Sequence, residues 1–206
     1  MTEKTPPHRL DALGRPLRSL RVSVIDRCDL RCAYCMPEED YTWLPKEGIL
    51  TFAEILRLVD AFVEQGVRRV RLTGGEPLLR GGLTDLVREL ASRPGIEDLA
   101  ITTNATQLAP WAAPLREAGM QRVTVSLDSL DDGVFRAMND AEIPVTRVLE
   151  GIEAATAAGL GPVKINAVVR RGVNDHTLVD LARHFKGTGH IVRFIEFMDV
   201  GTTNGW

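Results

Sequence analysis

Two hydrophobic rhythms alternate along the chain from about residue 20 onward. Residues 20–25 (LRVSVI) put Leu20, Val22 and Val24 at every second position, the period of a strand with one face toward a core. From Thr51 the spacing becomes helical: Ile55, Leu58, Val59 and Phe62 recur three and four apart, behind a Thr51–Glu54 pair spaced as a capping box. Gly66 is a natural stop for that helix. Residues 68–73 (RRVRLT) then return to the strand period and end at Gly74 and Gly75. The cycle predicts a helix over 83–92, a strand over 98–103, a helix over 106–118 closed by Gly119, and a strand over 122–127. Helices follow over 131–138 and 145–158, a strand over 163–169, a helix over 175–186 and a sixth strand over 191–197.

Six successive strand–helix units imply an α/β fold of parallel strands joined by right-handed crossovers. A partial (β/α)6 TIM-like barrel and a doubly wound sheet both fit that count. In either, ligands sit at the C-terminal ends of the strands. Polar residues gather there: a cysteine loop after the first strand, Thr73-Gly74-Gly75-Glu76 after the second, Thr102-Thr103-Asn104 after the third, Ser126 and Asp128 after the fourth, and Glu196 to Asp199 at the sixth. No Gly-x-Gly-x-x-Gly follows the first strand, so a dinucleotide-binding fingerprint is absent.

Charge narrows the classes. The chain of 206 residues has a net charge of −3, which argues against a general grip on nucleic acid. Its basic residues are concentrated early, and residues 1–19 read as a basic arm ahead of a single barrel domain spanning 20–206. No apolar run approaches the roughly 20 residues that span a bilayer, and no apolar stretch of the signal-peptide kind opens the sequence. No membrane association and a cytoplasmic location are therefore expected.

The three cysteines, Cys28, Cys32 and Cys35, stand as C-x3-C-x2-C on one loop, a poor disulfide framework. Three thiolates so placed suit three irons of a [4Fe-4S] cube, leaving the fourth iron for a small molecule. A zinc site closes with four ligands, and no histidine lies near. The Cys32–Cys35 pair alone has the spacing of a redox C-x-x-C. Zinc binding and thiol chemistry stay open on spacing alone.

C-x3-C with the aromatic Tyr34 just before the last cysteine, followed by Gly74-Gly75-Glu76-Pro77, resembles the radical S-adenosylmethionine (SAM) superfamily. Longer strings are similar to its GTP 3′,8-cyclase family of molybdenum cofactor biosynthesis: Asp26-Arg27-Cys28, Tyr34-Cys35-Met36-Pro37, Arg71 to Arg80, Thr102-Thr103-Asn104, Val125 to Asp128, Pro162 to Asn166 and Arg193 to Gly201. Ile25, Asp29 and Ala105 depart from the family's usual Thr, Asn and Gly, at positions that are not ligands. The resemblance implies a partial (β/α)6 barrel. It also implies one [4Fe-4S] cluster on Cys28, Cys32 and Cys35, and SAM held by Tyr34, Gly75, Ser126 and Met198. GTP would be held by Arg21, Arg71, Thr102 and Lys164. Reductive cleavage of SAM would give a 5′-deoxyadenosyl radical that takes the 3′ hydrogen of GTP, with no catalytic side chain assigned beyond the cluster and SAM. An electron donor of the reductase or flavodoxin kind and a homodimer partner go with that reading.

The family continues into a C-terminal region with three more cysteines, a second cluster and an Arg-x-Arg segment. No cysteine follows Cys35. The chain is thus expected to correspond to the first two-thirds of such an enzyme, cleaving SAM with little cyclisation of GTP. A peptide-modifying radical SAM enzyme and a non-enzymatic metal-binding fragment are the alternatives.

Overall fold

The computed structural model describes residues 10–37 and 40–198. Strands β1 (Ser19–Ser23), β2 (Arg69–Thr73), β3 (Asp98–Thr103), β4 (Arg122–Ser126), β5 (Lys164–Val169) and β6 (Ile191–Glu196) form one sheet. They stand side by side in chain order, and every pairing is parallel. A doubly wound sheet reverses its strand order at a switch point. This one never does, so the architecture is the partial barrel. Among the described residues β1 and β6 pair with no further strand, and the barrel is open between them.

The crossovers are α1 (Phe52–Glu64), α2 (Leu83–Ala91), α3 (Leu108–Glu117), the pair α4 (Asp132–Asn139) and α5 (Val145–Ala157), and α6 (Leu178–Phe185). The capping box at Thr51 is formed: its hydroxyl accepts from the Glu54 N–H, and the Glu54 carboxylate accepts from the Thr51 N–H. Of the four apolar positions that mark α1, Ile55 and Val59 are buried, whereas Leu58 and Phe62 are exposed. The packed stripe runs through Phe52, Ile55, Leu56, Val59 and Val63 instead. The expected helix over 175–186 is also split. A 3-10 turn at Asp175–Thr177 precedes α6, because the Asn174 side chain bridges the carbonyls of Asp128 and Val168 and accepts from the Arg170 N–H.

Strand alternation divides the sheet into two unlike faces. Val70, Leu72, Leu99, Ile101, Val123, Val125 and Ile165 are buried in the core shared with the helices, each contributing about 1.5–3 kcal/mol by leaving water. The alternate positions face the barrel interior and include Arg21, Arg71, Thr102, Arg122, Thr124 and Lys164 beside the small Ala100. A packed TIM barrel fills that space with branched apolar side chains. Here that space is lined largely by charged side chains.

Candidate active site

The site begins with the loop after β1. Gly75 donates to the Ile25 carbonyl and Glu76 to the Arg27 carbonyl, both at 2.8 Å, so the entry to the cysteine loop lies directly on the end of β2. A Cβ on Gly74 would stand 2.5 Å from the Ile25 carbonyl oxygen, and one on Gly75 would collide with the Arg27 carbonyl. The glycines therefore serve the loop's own backbone first, and the opening left for a ligand is what remains around it.

The rest of the loop is tied down from three sides. Arg31 and Ala33 donate their N–H groups to the carbonyls of Asn139 and Met138 at the end of α4, at 2.8 and 3.1 Å. Asp29 takes hydrogen bonds from the Asn104 amide and the Thr106 hydroxyl, each at 2.7 Å. The Tyr34 hydroxyl donates to Asp128 at 2.7 Å, and Asp128 also accepts from the Val168 N–H. Strands β3, β4 and β5 thus each help to fix a loop that lies more than sixty residues earlier in the chain.

So held, Cys28, Cys32 and Cys35 line one cavity together with Tyr34, Gly75 and Ser126. All three are free thiols. Among the described residues no three His, Cys, Asp or Glu side chains converge as ligands of a single ion. A cube asks for something else, one sulfur on each of three irons, and three separate sulfurs around a shared cavity fit it. Two amides attend the sulfurs: Asn139 Oδ1 lies 2.8 Å from Cys32 Sγ, and Asn104 Nδ2 lies 3.8 Å from Cys28 Sγ. Burial pushes the Cys28 thiol up to about 11 and Cys32 to about 12, and raises Cys35 as well. The metal-free sulfurs are therefore protonated, and binding a metal must displace those protons.

Two acids behind the loop are raised too. Burial lifts Glu76 to about 7, against hydrogen bonds from Thr103, Asn104 and Leu78 that favour its ionised form. Burial likewise lifts Asp128 to about 6, and the Tyr34 phenol beside it is held well above its ordinary range by burial and by the Asp128 charge. In the unfolded chain both carboxyls ionise near their ordinary values of 4.5 and 3.8. Between there and pH 7 the folded chain holds the extra protons, so stability falls as pH rises across that window. The metal-free protein is expected to lose stability to urea between pH 5 and 7.5. Glu76→Gln is expected to flatten that slope by on the order of 2–3 kcal/mol, and an unchanged slope would count against the buried acid.

The second part of the site lies in the barrel interior. Arg21, Arg71 and Lys164 line a cavity there with Arg69, Asp98 and Arg122. Arg71 donates to the hydroxyls of Thr124 at 2.8 Å and Thr102 at 3.3 Å. Its pKa is lowered by burial and then by Arg122, Arg21 and Arg193 nearby, and that of Lys164 by burial and by Arg122, Arg71 and Arg193. Arg122 is paired in bidentate fashion with Asp98. The remaining cations face one another, an arrangement that favours a polyanion. Thr102 lines the cysteine cavity, and the hydrogen bond it accepts from Arg71 links the two spaces.

The sequence-based set is therefore gathered in two adjoining places, with one exception. Met198 is 65% exposed beyond β6 and does not line the cysteine cavity as shaped here. Asp199 and the end of the matched string lie outside the described residues. Sequence reasoning gave no role to Thr124, Arg122, Arg193 or Asp29. The first three occupy the same inward-facing alternation as Arg71, which was the signal available.

A family model described as the Radical SAM superfamily matches residues 22–185. The GTP 3′,8-cyclase of Acidothermus cellulolyticus is 56% identical over 98% of this chain and 57% of its own length. That of Xanthomonas axonopodis pv. citri is 52% identical over 95% of this chain and 60% of its own. The chain thus spans less than two-thirds of the curated relatives it matches. Among solved structures, Streptococcus suis SuiB bound to S-adenosylmethionine superposes with a TM-score of 0.70 at 20% identity, covering 90% of this chain and 42% of that one. A histidine-tagged anSMEcpe with bound AdoMet gives 0.72 at 20% identity, over 89% and 51%. These two likenesses bear on the fold. No helix among the described residues is long and apolar enough to cross a membrane.

Proposed function

The chain belongs to the radical SAM superfamily, and from that premise we propose that it carries the SAM-cleaving half of a GTP 3′,8-cyclase site. Cys28, Cys32 and Cys35 would hold one [4Fe-4S] cluster. When bound, the cluster supplies one electron to SAM, whose cleavage yields methionine and the 5′-deoxyadenosyl radical that takes the 3′ hydrogen of GTP. The chain's own residues bind and orient. Tyr34, fixed by Asp128, and Ser126 border the space for SAM, and the Gly75 backbone closes it on the β2 side. Met198 is proposed to join them from the end of β6. Arg21, Arg71 and Lys164 are proposed to take the triphosphate, with Thr102 at the boundary. Electrons would come from a reductase or flavodoxin-like donor.

The observation that carries this reading is the Arg71–Thr102 contact, which joins a cysteine-lined cavity to a cation-lined one. The test is nucleotide affinity, measured by calorimetry on the anaerobically reconstituted chain. GTP is expected to bind more tightly than guanosine, and Arg71→Ala to weaken GTP by about 10–100-fold, the worth of hydrogen bonds to a charged group. Guanosine is expected to be little affected. Equal affinity for GTP and guanosine would remove the triphosphate from the account and favour an uncharged or peptide substrate.

A further inference from the structure

Asp29 directly follows the first cysteine, and its partners are all neutral donors. Asn104 Nδ2 reaches Oδ1 at 2.7 Å, the Thr106 hydroxyl reaches Oδ2 at 2.7 Å, and Gln107 Nε2 reaches Oδ2 at 3.4 Å. Among the described residues no Lys, Arg or His forms an ion pair with it. Three donors thus converge on its two oxygens. Its Oδ1 lies 4.0 Å from Cys28 Sγ, and the amide that binds Oδ1 also lies 3.8 Å from that sulfur. The turn that supplies these donors is a costly one. Ala105, between Asn104 and Thr106, is fully buried with φ +63°, a left-handed conformation that crowds the Cβ of a non-glycine residue. The chain accepts that strain where the turn aims Asn104 and Thr106 at one carboxylate.

We propose that Asp29 poises the iron–sulfur cluster, its fixed negative charge beside Cys28 disfavouring electron entry while the 104–107 turn holds that charge in place. The proposal rests on the reading of Cys28, Cys32 and Cys35 as cluster ligands. Its physics is Coulombic. One-electron reduction adds negative charge to the cluster without making or breaking a bond, and repulsion from a nearby, poorly screened carboxylate makes that addition less favourable. Removing the charge with its shape kept makes reduction easier. Removing one donor to the carboxylate leaves the charge less neutralised and moves the balance the other way or not at all.

The test is an anaerobic redox titration of the reconstituted chain, with dithionite as reductant, dye mediators, and the reduced cluster followed by electron paramagnetic resonance. Iron is measured on the same samples. Asp29→Asn is expected to favour the reduced form by about three- to tenfold, a positive shift of about 30–60 mV at 59 mV per tenfold. Thr106→Val keeps the charge and loses a donor, so its potential is expected to stay level or fall. A purely structural role would move both variants in the same direction. An unchanged or lower potential in Asp29→Asn, or a rise in Thr106→Val, overturns the proposal. If Asp29→Asn takes up no iron, the Thr106→Val titration decides by the same signs. A wild-type chain that holds no iron would instead overturn the cysteine reading, and this proposal with it.

Discussion

Iron content is expected to fall from about four atoms per chain to none when Cys28, Cys32 and Cys35 are all replaced by Ala. The size of the effect follows from the donor set. Each sulfur would hold a different iron, and the loop has no other thiol: the three are the only cysteines of the chain. Asp29 is engaged by Asn104 and Thr106 and offers no replacement. The fold itself should tolerate the change. The loop is anchored by the backbone bonds of Gly75, Glu76, Arg31 and Ala33 and by Tyr34–Asp128, none of which uses a thiol. Circular dichroism of the metal-free wild-type and variant chains should therefore coincide. Iron retained at the wild-type level in the triple variant would sink the assignment.

Much of this site was readable before any coordinates. The six strands fall within a residue or two of where alternation places them, because each is short and carries its apolar residues at alternate positions. The helix stops at Gly66 and Gly119 are likewise local events: both adopt positive φ, +107° and +104°. What alternation could not say is what the other face of each strand would meet. Arg71 reads equally as a solvated edge or an interior cation until β3 and β4 bring Thr102 and Thr124 beside it. The choice between a barrel and a doubly wound sheet needed strand order, which no local pattern encodes.

Two departures from the family strings, Asp29 and Ala105, look incidental in sequence because neither is a ligand. In three dimensions they belong to one contact: Asp29 accepts hydrogen bonds from the residues on either side of Ala105. Gly74 and Gly75 carry the opposite lesson. A missing Cβ leaves room for a ligand to approach, yet the atoms that approach most closely are carbonyls of the cysteine loop itself. Met198 was placed by its string alone, and its exposure beyond β6 leaves its part in the SAM site as a proposal.

The central claim is that the cysteine cavity is a place where SAM is reductively cleaved. Three features converge on it. The sulfurs share one cavity, so a cluster there would face the ends of β2, β3 and β4. Tyr34 is pinned by a 2.7 Å hydrogen bond to a buried carboxylate, which fixes the aromatic wall beside the last cysteine. Ser126, at the end of β4, lines the same cavity. A bound SAM would thus meet prearranged groups, and holding a reactant within a fraction of an ångström matters: misplacement by about 1 Å can cost on the order of a hundredfold in rate. The measurement is anaerobic incubation of the iron-loaded chain with SAM and dithionite, counting 5′-deoxyadenosine and methionine against a protein-free control. The account predicts both products in equal amounts and their loss in each cysteine variant. An iron-loaded chain that forms neither above the control would contradict it.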